Sequence, residues 1–353
     1  MSDPKTTGRP RTLDTGNLAP LESWLARSVD ARTLAITAAE LLPGGAVGEN
    51  WKLDVAVDGG AKAGTHTWVL RTDAAARIGV SLDRADEYAV LRAAAMAGVR
   101  VPEPIARAEE ADIIGAPFMI LGFVGGTAQA RRIVRDPGLA TFGPDLAEEL
   151  GRQLARIHTI EPPADLPFLA VPERRAARDI VGDLRGLLDQ CSDPRPALEW
   201  VLRWLELNAP EARRITLVHG DFRTGNFMID GARLTAILDW EFAHWGDPIE
   251  DLGWFTARCW RFGNDALEAG GIAPLGALLD GYNAVSAEPV SEREISYWQI
   301  LAAARWAAIA VLQGERHRSG REPSLELQLT GLMAPEMELD AIDDIRRLVA
   351  RSE

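Results

Sequence analysis

Three oxygen-bearing side chains lie close together in the stretch HGDFRTGNFMIDGARLTAILDW. Asp221 and Asn226 precede a first apolar run, and Asp239 follows a second one. Phe227–Asp230 and Leu234–Leu238 are predicted to be two strands joined by an Asp-Gly turn. In an antiparallel hairpin, the residue before the first strand and the residue after the second lie at the same end. Asn226 and Asp239 should therefore meet, and their oxygens suit a hard cation such as Mg²⁺.

The wider motif resembles the catalytic segment of the aminoglycoside phosphotransferase and choline kinase-like family, a relative of the protein kinases. It consists of HGD, four residues and Asn, then LDW and GDPIEDL. The resemblance implies that Asp221 positions and helps to deprotonate an acceptor hydroxyl. It also implies that Asn226 and Asp239 hold Mg²⁺, that Asp251 braces the catalytic loop, and that His219 shapes this loop. The alternative, a chance spacing of loop acids and a turn Asn, stays open.

Within this family, the chain looks most similar to bacterial phosphotransferases that resemble the kinase-like portion of acyl-CoA dehydrogenase family members 10 and 11. The segments with this likeness are GAPFMILGFVGGT, LVHGDFRTGN and ILDWEFAHWGDPIEDLGW. Phosphoryl transfer asks a protein mainly for positioning and charge neutralisation, which one base and two metal ligands can supply.

The resemblance also assigns nucleotide-binding roles to residues nearer the N-terminus. Gly45 lies in the Gly-containing turn GGAVGEN, where close backbone approach to the phosphates of ATP is expected. Arg71 stands where the third strand of the family carries a basic residue for the α- and β-phosphates. No lysine lies nearby in the right pattern, and an Arg fork can bind phosphate oxygens. Glu87 is its expected partner, with an ordinary surface ion pair as the alternative.

The segment Phe118–Val124 resembles the connecting strand whose backbone receives the adenine of ATP. Family members often have an acidic residue where this chain has Gly122. The adenine contacts are therefore expected from the main-chain groups of Leu121, Phe123 and Val124.

Apolar periodicity predicts a change of character along the chain. The expected fold class is α+β, a two-lobed protein kinase-like fold with a small β-rich N-lobe, a large mostly helical C-lobe and a cleft between them. The predicted domains are a loose tail at 1–16, the N-lobe at 17–120, a hinge at 121–126 and the C-lobe at 127–353. The predicted helices are Asn17–Val29, Ala85–Ala97, Asp145–His158, Arg174–Leu188, Ala197–Asn208, Ala266–Tyr282 and Ser291–Gly314, and an N-lobe hairpin joins Trp51–Val57 to His66–Arg71.

Composition narrows the range of partners. The chain has 353 residues, 47% of them hydrophobic and 25% charged, as in ordinary globular proteins of about two domains. The net charge of −14 disfavours a nucleic-acid partner. The apolar stretch Ile300–Leu312 is too short for a bilayer and is broken by Arg305. With two cysteines and no apolar signal segment, a cytoplasmic protein with no membrane partner is expected.

The residues after the catalytic motif mix aromatic surface with cations. Arginine and tryptophan suit an acceptor with anionic and apolar parts, whereas an aminoglycoside polycation would prefer carboxylates. A hydroxylated acid or a hydroxyacyl-CoA is therefore favoured. Anion contacts are one interpretation of Arg131, Arg132 and Arg135, and a solvated helix face is the preferred one. The candidate acceptor residues are Trp254, Arg258, Trp260, Arg261, Trp298, Arg305 and Trp306.

The leading hypothesis is an enzyme that moves the γ-phosphoryl group of ATP to a hydroxyl of a small molecule, with ATP and Mg²⁺ as cofactors. A catalytically silent nucleotide-binding module is the alternative, motivated by Val47, Gly122 and the lysine-free third strand. A third hypothesis is an Asp-based phosphohydrolase that uses the same metal site on water. It is disfavoured because a two-lobed nucleotide architecture would be superfluous.

Overall fold

The computed structural model describes residues 13–42, 49–72, 81–109, 112–172 and 176–350. The predicted phosphate-covering turn at Gly45 lies outside these residues. The chain divides into two units, and one division falls after Val124. The first unit contains the described residues up to Met96, Val101–Val124 and Trp240–Phe242, and the second contains Ala97–Arg100, Gly125–Asp239 and those from Ala243 onward.

The first unit is built on a five-stranded antiparallel sheet with strand order β1-β2-β3-β5-β4. Its predicted hairpin forms, and Trp51 lies opposite Leu70. Every second residue of the second strand is buried, as expected when one face of a strand packs on a core. The elements are α1 (Ala19–Ser28), β1 (Thr33–Leu41), β2 (Asn50–Asp58), β3 (Gly64–Thr72), α2 (Arg84–Met96), β4 (Pro104–Ala108) and β5 (Phe118–Gly122).

Leucines from the N-terminal region close the core of this sheet. Leu21 and Leu25 of α1 are buried, as the predicted apolar face of this helix requires. Leu13 belongs to the same core and is only 3% exposed. The predicted loose tail at 1–16 is therefore wrong at its end, because a leucine gains about 2 kcal/mol by burying its side chain.

The second unit is mostly helical and carries two small two-stranded sheets. The long helix α9 packs against α5, α6, α7, α10 and α11. By length and composition α9 could cross a membrane, but 67% of its apolar window is buried inside the protein, as in a core helix. The elements are α3 (Ala130–Ile133), α4 (Leu139–Ile157), α5 (Ala176–Leu188), α6 (Pro196–Leu207), β6 (Thr216–Val218), β7 (Phe227–Asp230), β8 (Arg233–Ile237), β9 (His244–Gly246), α7 (Ile249–Thr256), a 3₁₀ turn (Arg258–Trp260), α8 (Leu275–Asn283), α9 (Glu292–Arg318), α10 (Leu325–Gly331) and α11 (Ala334–Ala350).

One predicted helix is much shorter than expected. Ala266–Tyr282 was expected to be helical throughout, but α8 begins only at Leu275. Gly270 and Gly271 have φ angles of +59° and +75°, which end any right-handed helix before that point. The glycines form a turn, and Gly271 closes against the backbone of Arg261, where a side chain would clash.

Candidate active site

A β-hairpin places two of the predicted metal ligands at one end. Phe227 of β7 lies opposite Ile237 of β8, and the N–H of Leu238 donates to the carbonyl of Asn226 at 2.7 Å. Asn226 and Asp239 therefore follow the two strands at the same end of the hairpin. Asp239 has a φ angle of +66°, a conformation that is rare outside glycine and costs about 1–3 kcal/mol. Such strain is typical of functional positions.

The carboxylate of Asp221 accepts hydrogen bonds from three side chains. Trp254 Nε1 donates to Oδ1 at 2.8 Å, and Asn226 Nδ2 donates to Oδ2 at 2.6 Å. Arg223 Nε lies 3.2 Å from both oxygens. The side chain of Asp221 is 13% exposed, so solvent and small molecules still reach it. This arrangement fixes the orientation of a carboxylate that remains accessible.

The backbone of the loop before Asp221 is held by a second, fully buried carboxylate. Asp251 Oδ2 accepts the N–H of His219 at 2.8 Å, and Oδ1 accepts the N–H of Gly220 at 3.0 Å. His158 Nε2 lies 3.2 Å from Asp251 Oδ2. Burial alone would raise the pKa of Asp251, but the hydrogen bond from His158 and the contacts at His219 lower it. Asp251 is therefore a charged brace for the loop.

Two histidines complete this support. Burial lowers the pKa of His158, so the neutral ring donates through Nε2 to Asp251 and accepts from the Tyr282 hydroxyl at Nδ1, 2.9 Å away. His219 Nε2 lies 2.9 Å from the carbonyl of Leu238, and its Nδ1 accepts the N–H of Asp221 at 3.3 Å. His219 thus links the loop to the end of β8 and makes the structural contacts of a loop-shaping residue.

The donor set at the hairpin end fits Mg²⁺. Asn226 donates its amide N–H to Asp221, which leaves the amide oxygen as a candidate ligand, and Asp239 carries a carboxylate. Within the described part of the chain, no group of three or more His, Cys, Asp or Glu side chains could hold a metal ion. Two hard oxygen ligands, with other positions filled by water and phosphate, are the pattern that Mg²⁺ accepts.

In the first unit, the predicted pair of Arg71 and Glu87 forms. Arg71 Nη1 lies 3.0 Å from Glu87 Oε1, and the carboxylate is 0% exposed. An ordinary surface ion pair is therefore excluded for this contact, because surface pairs keep both groups in water. The other oxygen of Glu87 is bound by Arg84, which is itself buried and which the sequence did not single out. Arg84 lies three residues before Glu87 on α2, a spacing that could have revealed it.

The predicted adenine-binding segment is only partly available. The N–H of Phe123 donates to the carbonyl of Thr67 at 3.0 Å, and the N–H of Gly122 donates to Glu103 at 2.8 Å. Leu121 is buried in β5 between β3 and β4. The prediction named main-chain groups of Phe123 without choosing one, and its N–H is engaged at the end of the sheet. Its carbonyl and the main chain of Val124 carry the remaining expectation.

Most of the predicted acceptor residues serve the fold. Arg258 binds Asp340 at 3.0 Å, and Arg261 binds Glu268 at 2.9 Å and two backbone carbonyls. Trp298 is 2% exposed in α9. These side chains are engaged in packing and charge neutralisation, so they do not form the cationic pocket that their composition indicated.

Arg223 is the functional candidate that the sequence analysis missed. Its Nε contacts Asp221, and its Cζ lies 4.6 Å from the centre of the Trp260 ring. Within the described residues, its two terminal nitrogens have no acceptor, and the side chain is 27% exposed. Trp260 packs in turn, with tilted rings, against Trp254 and Trp306, whose ring centres lie 5.4 and 5.1 Å from its own. The position of Arg223 in the sequence, two residues after Asp221, was the signal that could have revealed it.

Comparisons with known proteins identify relatives of this chain. Mouse (Mus musculus) acyl-CoA dehydrogenase family member 10 is 31% identical to this chain over 175 residues. The match covers 48% of this chain and only 16% of the mouse protein.

Two solved structures share the fold over nearly the whole chain. A Ralstonia eutropha JMP134 protein assigned to the aminoglycoside phosphotransferases has a TM-score of 0.76 and 22% identity, and covers 94% of this chain and 98% of its own. The aminoglycoside phosphotransferase APH(4)-Ia, solved with AMP-PNP and hygromycin B, has a TM-score of 0.54 and 17% identity, covering 93% and 98%. The fold is therefore protein kinase-like. The model of the phosphotransferase enzyme family matches residues 12–293, so this chain belongs to the phosphotransferase enzyme family.

Proposed function

We propose that this phosphotransferase moves the γ-phosphoryl group of ATP to a hydroxyl of a small molecule that also carries an anionic group. The observation that carries the proposal is the Asp221 carboxylate, oriented by three donors yet accessible, beside the hairpin end that bears Asn226 and Asp239. Family membership supports the transfer reaction. The acceptor class rests on the residues around Asp221.

Asp221 accepts the hydrogen bond of the acceptor hydroxyl and so aims its oxygen at the γ-phosphorus. As the new O–P bond forms, the hydroxyl proton passes to the carboxylate. The bond from the γ-phosphorus to the β–γ bridging oxygen breaks, and ADP leaves with that electron pair. Phosphoryl transfer of this kind depends mainly on alignment, which the donors on Asp221 supply.

Asn226 and Asp239 would hold Mg²⁺, which supplies charge neutralisation for the phosphates when bound. In the first unit, Arg71 would bind the α- and β-phosphates, and Glu87 keeps its guanidinium in place. The carbonyl of Phe123 and the main chain of Val124 would receive the adenine. Each of these roles follows the family pattern at the matching residue.

The acceptor class follows from Arg223. Its Nε contacts Asp221, and its terminal nitrogens have no acceptor among the described residues and offer a planar fork, which favours carboxylate or phosphate oxygens. A second donor, Trp260 Nε1, is buried and has no acceptor among the described residues. An acceptor whose hydroxyl reaches Asp221 and whose anion reaches Arg223 has these two groups a few bonds apart. A hydroxy acid meets this requirement, whereas the anionic phosphates of a hydroxyacyl-CoA lie many bonds from its acyl hydroxyl.

The test is Mg²⁺-dependent ADP release from ATP with separate acceptor pools. One pool contains hydroxy acids and hydroxyacyl-CoAs, and the others contain aminoglycosides and amino alcohols. We expect release with the anionic pool, and a KM for its active member that rises about tenfold in Arg223→Gln, on the order of one charged hydrogen bond.

The exposed residue Asp230 provides a matched control, since Asp230→Asn should change neither ADP release nor the KM for the acceptor. A signal confined to aminoglycosides contradicts the acceptor class. ATP binding without release in any pool contradicts the transfer reaction and supports a silent nucleotide-binding module. Equal phosphate release with and without acceptors indicates a phosphohydrolase.

A further inference from the structure

Trp254 contacts Asp221, although the sequence analysis placed it only among the candidate acceptor residues. Its Nε1–H donates to Asp221 Oδ1 at 2.8 Å, across 33 positions of sequence. The side chain is 4% exposed, so this hydrogen bond is shielded from water. An indole N–H can donate only one hydrogen bond, and here the Asp221 carboxylate accepts it.

The helix that carries Trp254 also carries the loop brace. Asp251 and Trp254 are three residues apart on α7, so they lie on one face of the helix. Asp251 holds the backbone N–H groups of His219 and Gly220, and Trp254 holds the side chain of Asp221. One helix face therefore fixes both the backbone and the carboxylate of the loop.

The position of this helix is itself fixed by close packing. Gly253 lies against the backbone of Trp298 in α9, where any side chain would clash. The ring of Trp254 is held between Arg305, whose Cζ lies 4.7 Å from the ring centre, and Trp260. Arg305 is anchored by Glu250 at 3.2 Å. The indole therefore has little freedom to follow a moving carboxylate.

The three donors on Asp221 do different things. Arg223 Nε is equally distant from both oxygens, at 3.2 Å, so its contact survives a rotation that exchanges them. Trp254 on Oδ1 and Asn226 on Oδ2 bind different oxygens and together fix the plane of the carboxylate. Because Asn226 is also a candidate metal ligand, Trp254 is the member of this pair whose only contact with the chemistry is through Asp221.

We propose that Trp254 is a positioning residue that sets the orientation of the Asp221 carboxylate for phosphoryl transfer. This role rests on the proposed function, since it acts through the base assigned there. A misplacement of about 1 Å in a reacting geometry can cost on the order of 100-fold in rate. Loss of the indole N–H should therefore lower kcat and leave substrate binding nearly unchanged.

The test is Trp254→Phe, which removes the N–H and keeps an aromatic ring between Arg305 and Trp260. We expect kcat to fall between about 10-fold and 100-fold, with KM values for ATP and acceptor within about threefold of wild type. Trp204→Phe is the matched control, since Trp204 stacks on Tyr297 and should leave kcat unchanged. An unchanged kcat in Trp254→Phe overturns the proposal.

A double-mutant cycle separates positioning from a general structural effect. In the Asp221→Asn background, Trp254→Phe should cause no further loss, because the group it orients is no longer a carboxylate. An equal further loss in that background overturns the proposal. Thermal unfolding of each variant shows whether the fold is kept.

A spectroscopic readout keeps the contact testable without turnover. In ¹H–¹⁵N spectra, the indole signal of Trp254 should move in Asp221→Asn, while that of Trp204 stays in place. An unmoved Trp254 signal contradicts the positioning role alone. If the Trp254 signal moves in Asp221→Asn but the wild-type enzyme is inactive on every acceptor, the proposed function is contradicted, and the positioning role of Trp254 in phosphoryl transfer with it.

Discussion

The two units each fix a carboxylate, but in different ways. Glu87 in the first unit is fully buried between two guanidinium groups, those of Arg71 and Arg84. Asp221 in the second unit remains 13% exposed, and two of its three side-chain donors, an indole and an amide, are neutral. Glu87 is committed to its ion pairs and serves to orient Arg71. Asp221 is oriented without being enclosed, so it remains able to accept a substrate hydroxyl.

The difference teaches that Glu87 is held by two charged groups, whereas two of the three side chains that hold Asp221 are neutral and leave it open to a hydroxyl. A buried carboxylate between two cations is costly to break, since removal of one partner leaves uncompensated charge. A carboxylate held by N–H groups of neutral side chains keeps its place and its reactivity. Variants in the first unit should therefore affect stability, and variants at the catalytic loop should affect rate.

The largest effect is expected at the hairpin end. Asp239→Ala should reduce acceptor-dependent ADP release on the order of 1,000-fold, because the variant lacks a carboxylate ligand for the Mg²⁺ that would neutralise the phosphate charge. Steady-state kinetics and thermal unfolding measure the two halves of this prediction. The melting temperature should fall modestly, since alanine keeps its Cβ and tolerates a φ of +66° less well than aspartate does. Retained turnover would contradict the metal-binding role.

A smaller effect, on stability instead of on rate, is expected at Glu87. Glu87→Gln removes the charge that Arg71 and Arg84 share, and should lower the free energy of unfolding by about 3 kcal/mol. Chemical denaturation measures the loss. Glu199→Gln, at a largely exposed pair with Arg185, is the control and should change stability far less. Equal losses in both variants would remove the contrast between buried and exposed pairs.

The smallest expected effect concerns two carboxylates at the start of α7. Asp251 has three donors and a lowered pKa, whereas Asp247 accepts the N–H of Ile249, and burial raises its pKa to about 7. A raised pKa in the folded state means that the folded protein holds a proton that the unfolded chain has lost. The contribution of Asp247 to stability is therefore lost as pH rises from about 4 to about 7.

Asp247→Asn should remove this dependence. Between pH 5 and pH 7, wild type should lose about 2 kcal/mol relative to the variant. Denaturation at a series of pH values measures the difference. His158, whose pKa is lowered by burial, weakens both proteins below its ordinary pKa and cancels in the comparison. Parallel stability curves for the two proteins would show that Asp247 does not hold a proton in the folded state.

Local sequence patterns predicted those parts of the site whose residues lie close together along the chain. The hairpin that carries Asn226 and Asp239 followed from two apolar runs around an Asp-Gly turn, and it forms as expected. The α+β fold class also followed from periodicity and the family motif. The helix predicted at Ala266–Tyr282 failed because apolar spacing continued through Gly270 and Gly271, whose backbone conformation no helix allows.

The contacts that the sequence did not reveal are those made by tertiary packing. Trp254 reaches Asp221 because α7 packs on α9, and spacing along the chain contains no trace of this distance. The N–H of Phe123 is occupied because it donates to the carbonyl of Thr67 in β3, one residue beyond the last residue of β5. The predicted acceptor region contains arginines, but Asp340 and Glu268 neutralise two of them, Arg258 and Arg261.

The central claim is that the accessible, three-donor carboxylate of Asp221 directs transfer of the γ-phosphoryl group to a hydroxyl. Its most direct test follows labelled γ-phosphate from ATP into the acceptor with wild type, Asp221→Asn and the control Asp230→Asn. We predict label in the acceptor for wild type and control, and a loss on the order of 1,000-fold in Asp221→Asn with nearly unchanged ATP affinity. Equal label transfer by Asp221→Asn, or label found only in inorganic phosphate, would contradict the claim.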